Sequence, residues 1–237
     1  MNILKFTKSI ASFFLLFSFF CVLFAQNKTI LDSFEDLSQY KINASDQVDI
    51  KLSIVPGFNG NCLKIDYNFV AGSGYGGIQA NLPISLPSNY AFSFYIKGES
   101  PNNTLEFKLI DKSGDNVWWV NNRNYNFPKN WTKLKFTKRN ISKAWGPLQL
   151  DKPNEIDKVE FIITSVNGGK GSVYLDLFEF ETREPIDTSN IKPLISSSTT
   201  KNIDYVFDSN LLTLWKCSSN KKQSVLFDFK KMKEFGG

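Results

Sequence analysis

Leu105-Glu106-Phe107-Lys108-Leu109 alternates apolar and charged residues without a break. Successive side chains of an extended chain point to opposite faces, so the three apolar residues share one face and the two charges the other. This is the pattern of a half-buried strand, and it recurs on either side. Val159, Phe161 and Ile163 share a face, as do Leu63, Ile65, Tyr67 and Phe69. Working outward, strands are expected at residues 48–55, 62–69, 77–82, 90–97, 104–111, 116–120, 132–137, 158–165 and 172–181. Turn chemistry separates them: Pro56-Gly57, Asn59-Gly60, Ser113-Gly114-Asp115 and Asn167-Gly168-Gly169. After the N-terminal segment no helical pattern of ten or more residues follows. Nine or so strands with one apolar face each predict an all-β chain, two antiparallel sheets packed as a β-sandwich over residues 28–182.

The 237 residues are 42% hydrophobic and 15% aromatic, with 22 Phe, which is the composition of a folded chain. There is no histidine. That excludes a triad with a His base, a His-containing zinc site and a His pH switch. Residues 1–8 carry Lys5 and Lys8 and no acid, and residues 10–24 are an apolar run broken only by Ser12 and Ser18. With Ala25 before the polar Gln26-Asn27-Lys28, residues 1–25 read as a signal peptide, too short in its apolar part to span a bilayer. Phe20 stands where a lipoprotein signal ending at Cys21 would need Gly or Ala. The expectation is an exported chain, secreted or at the cell surface, with no membrane contact after cleavage. Removing Lys5 and Lys8 lowers the net charge from +5 to +3, spread along the chain, which argues against a nucleic-acid partner. Cys62 and Cys217 would remain; their separation and different surroundings favour two buried thiols over a bridge.

Residues 183–193 hold Pro185 and Pro193 among polar residues without periodicity and read as a linker. Residues 194–237 start afresh, with a strand-like stretch near residues 224–229. A piece of that length cannot bury a core alone, so it is either a strap on the first domain or the beginning of a second.

The densest functional cluster runs from Asp111 to Arg123 and contains Trp118-Trp119. Period-2 geometry sends the two indoles to opposite faces. An exposed indole beside amides and charges can hold a sugar, its ring face against the C–H face and the polar groups on the hydroxyls. Trp119 shares its face with Val117 and Trp118 shares with Asn116, so Trp118 is the expected platform, with Asn121 and Arg123 as hydroxyl partners. Tyr75, in a glycine-rich stretch expected to be a loop, and Trp145, in a turn, are further candidates. The alternative at each position is structural packing. Lys64, Asp66, Glu106 and Lys108 are expected together on a solvated face opposite the core. Among Asp66, Glu106, Asp111 and Asp115 no spacing singles out an acid and a nucleophile, so catalysis by this chain is not expected.

Leu31-Asp32-Ser33-Phe34-Glu35-Asp36-Leu37 and Val173-Tyr174-Leu175-Asp176 resemble the two ends of family-11-like carbohydrate-binding modules, jelly rolls of the galactose-binding-like fold. Lys97-Gly98, the stretch from Phe107 to Asp111, and Trp131-Thr132 fit the same order along the chain. The resemblance implies non-catalytic binding of an extracellular polysaccharide or glycan. It also implies a structural Ca²⁺ at Glu35 and Asp176, where oxygen ligands from both chain ends suit a hard cation. The tail is similar to the start of a discoidin (coagulation-factor type C) domain through Ser196-Ser197-Ser198, Val206-Phe207-Asp208-Ser209-Asn210, Thr213-Leu214-Trp215 and Phe227-Asp228-Phe229. That likeness implies a second Ca²⁺ site at Asp208 and Thr213, and a truncated domain. The joint expectation is the N-terminal targeting module of a larger secreted polysaccharide-processing protein. A cell-surface adhesion or protein-recognition module on the same scaffold is the alternative.

Overall fold

The computed structural model describes residues 28–185, 194–197, 203–206 and 224–228. The chain divides into two compact units, Met1–Glu184 and Pro185–Gly237. In the first, twelve strands follow in order: β1 (Lys28–Asp32), β2 (Tyr40–Ala44), β3 (Val48–Pro56), β4 (Asn61–Phe69), β5 (Tyr75–Ser85), β6 (Tyr90–Glu99), β7 (Asn103–Ile110), β8 (Val117–Tyr125), β9 (Thr132–Thr137), β10 (Ser142–Trp145), β11 (Glu155–Thr164) and β12 (Gly169–Thr182). Every pairing is antiparallel. The first sheet has the order β3-β4-β12-β6-β9, and the second β10-β8-β7-β11-β5-β2. β12 takes β4 as partner for Gly169–Leu175 and β1 for Phe178–Glu181, while β6 lines its other edge. The switch falls where Leu177 adopts a positive φ of 47°. The expected all-β sandwich of antiparallel sheets is therefore present.

The core is built from the inward halves of the alternating strands. Phe92 and Phe94 of β6, Phe107 of β7, Phe161 of β11 and Phe178 of β12 are all buried and pack mostly edge to face or tilted. Phe94 meets Phe161 at 4.9 Å between centroids and 89° between planes. Each such ring removed from water contributes about 1.5–3 kcal/mol, which explains a chain so rich in Phe. Cys62 is a free, buried thiol, and burial pushes it up to about 11.

Three strands escape sequence patterning: β1, β2 and the four-residue β10. All are short, and β2 and β10 are the two edges of the second sheet, where one face of alternation is weakly enforced. The glycine-rich stretch around Tyr75 is also corrected, since β5 begins at Tyr75 and runs through Gly76 and Gly77. A Cβ on Gly77 would lie 2.0 Å from the Phe161 carbonyl oxygen, so only glycine lets β5 and β11 approach there.

In the second unit β13 (Leu194–Ser197) pairs antiparallel with β14 (Val225–Asp228), and a 3-10 turn spans Ile203–Val206. The expected signal peptide, Asp208, Thr213 and Cys217 lie outside the described residues.

Candidate functional site

The inward residues of β7 are Leu105, Phe107 and Leu109, which leaves Glu106 and Lys108 on the outer face of the second sheet. These two charged residues are only 6% and 8% exposed. Register explains their burial. Gln79 of β5, Glu160 of β11, Lys108 of β7 and Trp119 of β8 form one cross-strand row. Lys108 Nζ lies 2.9 Å from Glu106 Oε2 and 3.8 Å from Glu160 Oε2. Asn43 Nδ2 and Gln79 Nε2 each donate to Glu160 Oε1 at 2.7 Å. Asn121 Nδ2 donates to Glu106 Oε1 at 3.3 Å, while its Oδ1 is buried with no hydrogen-bond partner among the described residues. The polar groups are thus held by one another rather than by water, and such networks fix side-chain positions.

Aromatic rings wall this floor. Lys108 Nζ is 5.7 Å from the centroid of Tyr75 and 5.6 Å from that of Trp145. Tyr75 comes from β5 and Trp145 from β10, which lie on opposite sides of β7 in the sheet. Trp119 meets Trp145 edge to face at 5.7 Å and 84°. Tyr75 and Trp145 remain 39% and 48% exposed, so ring surface is open to a ligand.

The structure brings together Tyr75, Trp145 and Asn121 of the expected residues and removes Trp118. Trp118 is buried, pairs with the core residue Leu109 and donates its indole N–H to the Leu150 carbonyl at 2.9 Å. The face-sharing argument failed because Asn116 is not part of the strand. Its Nδ2 donates to Asp111 Oδ2 at 2.8 Å and its Oδ1 accepts from Leu148 N at 2.8 Å, closing the turn before β8. Val117 is the first strand residue and stands opposite Trp145 of β10. Arg123 is exposed, at a point where β8 carries an extra residue against β7 and Asn124 takes a φ of 51°. Lys64 and Asp66 do not share a face with Glu106 and Lys108: β4 belongs to the first sheet and β7 to the second. Lys108, Glu106, Glu160, Gln79, Asn43 and Trp119 are the residues that sequence reasoning passed over as site components. Counting back across the β7–β8 turn from Ile110 opposite Val117 places Trp119 beside Lys108 and would have found it.

The acidic pair expected to bind calcium frames the turn between β3 and β4. Asp176 is fully buried; its Oδ2 accepts from Phe58 N at 2.7 Å and Asn59 N at 2.9 Å, and its Oδ1 has no hydrogen-bond partner among the described residues. Burial raises the Asp176 carboxyl above its usual range, against the pull of those backbone N–H groups, and the nearby Glu35 raises it further. Glu35 accepts from Asn61 N at 3.2 Å and from Asn61 Nδ2 at 2.9 Å. A Cβ on Gly57 would come within 2.6 Å of Asp176 Oδ2, so the turn needs glycine there to reach the carboxylate. Among the described residues no three His, Cys, Asp or Glu side chains gather as a metal-binding group.

The sequence matches no family model and no curated relative. Among solved structures the fold is similar to the family 11 carbohydrate-binding module of the cellulosomal cellulase Lic26A-Cel5E of Clostridium thermocellum. The TM-score is 0.54 at 18% identity, covering 67% of this chain and 96% of that one. It is likewise similar to a family 11 module from Clostridium thermocellum in complex with a β-1,3-1,4-mixed-linked tetrasaccharide. There the TM-score is 0.53 at 19% identity, covering 65% of this chain and 95% of that one. The likeness shows a shared jelly-roll fold.

Proposed function

We propose that the chain binds a polysaccharide, without cleaving it, on the outer face of the second sheet. The observation that carries this reading is the pair of exposed rings, Tyr75 and Trp145, set across a floor of carboxylates and amides around Lys108. Sugar C–H faces lie against the exposed rings, and the buried polar network around Lys108 holds the floor beneath them in place. The solved module in complex with a mixed-linkage tetrasaccharide makes a β-glucan the first ligand to try. Hydrolysis is disfavoured by the position of Lys108. Its ammonium sits 2.9 Å and 3.8 Å from the two carboxylates, in the space a scissile bond would need.

The test is affinity electrophoresis of the full chain through gels containing mixed-linkage β-glucan and a panel of other polysaccharides. Retardation reversed by free oligosaccharide, with no reducing sugar released, supports the reading. Migration unchanged in every polysaccharide, together with retention by protein ligands alone, replaces it with the adhesion or protein-recognition reading.

Export through residues 1–25, and a role as the targeting module of a larger polysaccharide-processing protein, belong to the same proposal. So does a discoidin-like second domain with Asp208 and Thr213 at a cation site. A structural Ca²⁺ is proposed at Asp176 and Glu35. The buried, unpartnered Asp176 Oδ1 fits a hard cation, and neither carboxylate forms an ion pair among the described residues. The ion would neutralise the two acids and hold the opening segment to the last strand.

A further inference from the structure

The first sheet carries an aromatic cluster on its own outer face, on the side of the sandwich away from Lys108. Phe58, in the β3–β4 turn, lies flat on Tyr95 of β6 with centroids 3.9 Å apart and planes 15° apart. Trp131, just before β9, stands edge-on to Phe58 and to Tyr174 of β12, each at 6.4 Å. Lys97 Nζ lies 5.1 Å from the Trp131 centroid and 4.5 Å from that of Tyr174. None of these rings belongs to the core, and Phe58 is 48% exposed. The Asp176 carboxylate holds the Phe58 and Asn59 N–H groups, so the exposed ring is presented by a fixed turn. Fixed aromatic surface in water is a binding feature, because its ordering is already complete.

Charge identifies the ligand. Lys64 is paired with Asp66 at 2.7 Å, and Lys133 is paired with Glu179. Lys97 forms no ion pair among the described residues. Beyond Tyr174 an open groove of about 400 Å³ continues along the same sheet, where Lys51 and Lys170 are set against Asp49 and Asp66, so the uncommitted positive charge of this face is that of Lys97. The Lys108 face differs, because its one ammonium is already held by two carboxylates.

We propose that this face is a second binding surface, whose ligand is an acidic polysaccharide carrying uronate carboxylates. Sugar rings lie against Phe58 and Trp131, one carboxylate pairs with Lys97, and the chain runs on over the groove, where its hydroxyls meet the mixed charges of Asp49, Lys51, Asp66 and Lys170. The module then holds two polysaccharides of different charge on opposite faces.

The experiment uses the full chain in affinity electrophoresis with polygalacturonate, its methyl ester as the uncharged control, and poly-glutamate as a non-sugar anion. Polygalacturonate should retard the protein, and the methyl ester and poly-glutamate should not. Lys97→Gln and Phe58→Ala should each weaken retardation by about tenfold, Lys97→Arg should restore most of it, and Trp119→Ala should leave it unchanged. Phe58→Ala lies in an exposed turn and keeps the test standing if Lys97→Gln unfolds. Equal retardation of Lys97→Gln and wild type, equal binding of the methyl ester, or poly-glutamate binding as well as polygalacturonate would overturn the proposal. Loss of polygalacturonate binding in Trp119→Ala would overturn it too, by placing the ligand on the other face. Binding of polygalacturonate with no neutral glucan bound would instead sink the β-glucan reading and leave this one intact.

Discussion

Trp119 of β8 and Trp145 of β10 meet edge to face, 5.7 Å between centroids, so the exposed indole is braced by a half-buried one from the neighbouring strand. Replacing Trp119 with Ala removes that brace and part of the wall. We expect it to weaken β-glucan binding by about 1 kcal/mol, roughly fivefold in Kd, with little loss of stability. Trp118→Ala should do the reverse, destabilising the chain by about 3–5 kcal/mol because it empties a fully buried site. Urea denaturation and calorimetric titration of the two variants decide the matter. Trp118→Ala losing ligand while keeping its stability would put the site elsewhere.

Lys108 neutralises two carboxylates that hardly touch water. Lys108→Met leaves Glu106 and Glu160 facing each other unpaired, at an expected cost of about 3–5 kcal/mol. Adding Glu106→Gln to Lys108→Met should recover a large part of that loss. Denaturant midpoints of the single and double variants measure it, and a single variant as stable as wild type would show that the cluster is hydrated and loose.

Calcium at Asp176 should appear as linkage. An ion bound only by the native state adds about 2.7 kcal/mol at a hundredfold excess over its Kd. A chelator should therefore lower the Tm of protein prepared in calcium by several degrees, and Asp176→Asn should abolish that response. Identical melting curves with and without chelator would remove the ion.

Acid should weaken the first sheet through Glu179. Burial alone would raise this carboxyl, but hydrogen bonds from Lys133, Lys28 and Ser93 hold it below its ordinary value of 4.5. A depressed carboxyl stabilises the fold above its unfolded pKa and loses that contribution as pH falls through the folded one. Stability should accordingly decline below about pH 4.5. Glu179→Gln should flatten the acid limb by about 1 kcal/mol, the scale of a partly exposed pair. An unchanged acid limb in the variant would assign the decline to other carboxylates.

Alternation was readable in strands such as β4, β7 and β11, each with a neighbour on both sides. β7, β11 and β4 declare their inner faces residue by residue, because each must bury one side against the opposite sheet. The edge strand β10 has four residues and declares nothing, and Trp145 could be placed only by its pairing with Val117. Trp118 was misassigned for a related reason. Parity is set by where the turn ends, and Asn116 reads as a strand residue until its bonds to Asp111 and Leu148 are seen. The cluster around Lys108 was least legible. Lys64-Ile65-Asp66 and Glu106-Phe107-Lys108 look alike in sequence, yet only the charges of the second are buried, with Tyr75 and Trp145 standing over them. Burial of a charged residue is a property of its neighbours, and those come from four other strands.

Lys28 lies opposite Glu181, so the strand that opens the sandwich and the strand that closes it run side by side, with their outer ends together. Mechanically this is a peeling joint rather than a lap joint. Tension on the two ends draws β1 from β12 one hydrogen bond at a time instead of loading the whole row at once. Pulled inside a longer polypeptide, the sandwich should yield at low force and lose its first strand before its core opens. Force spectroscopy would record that as a short extension step preceding the main rupture.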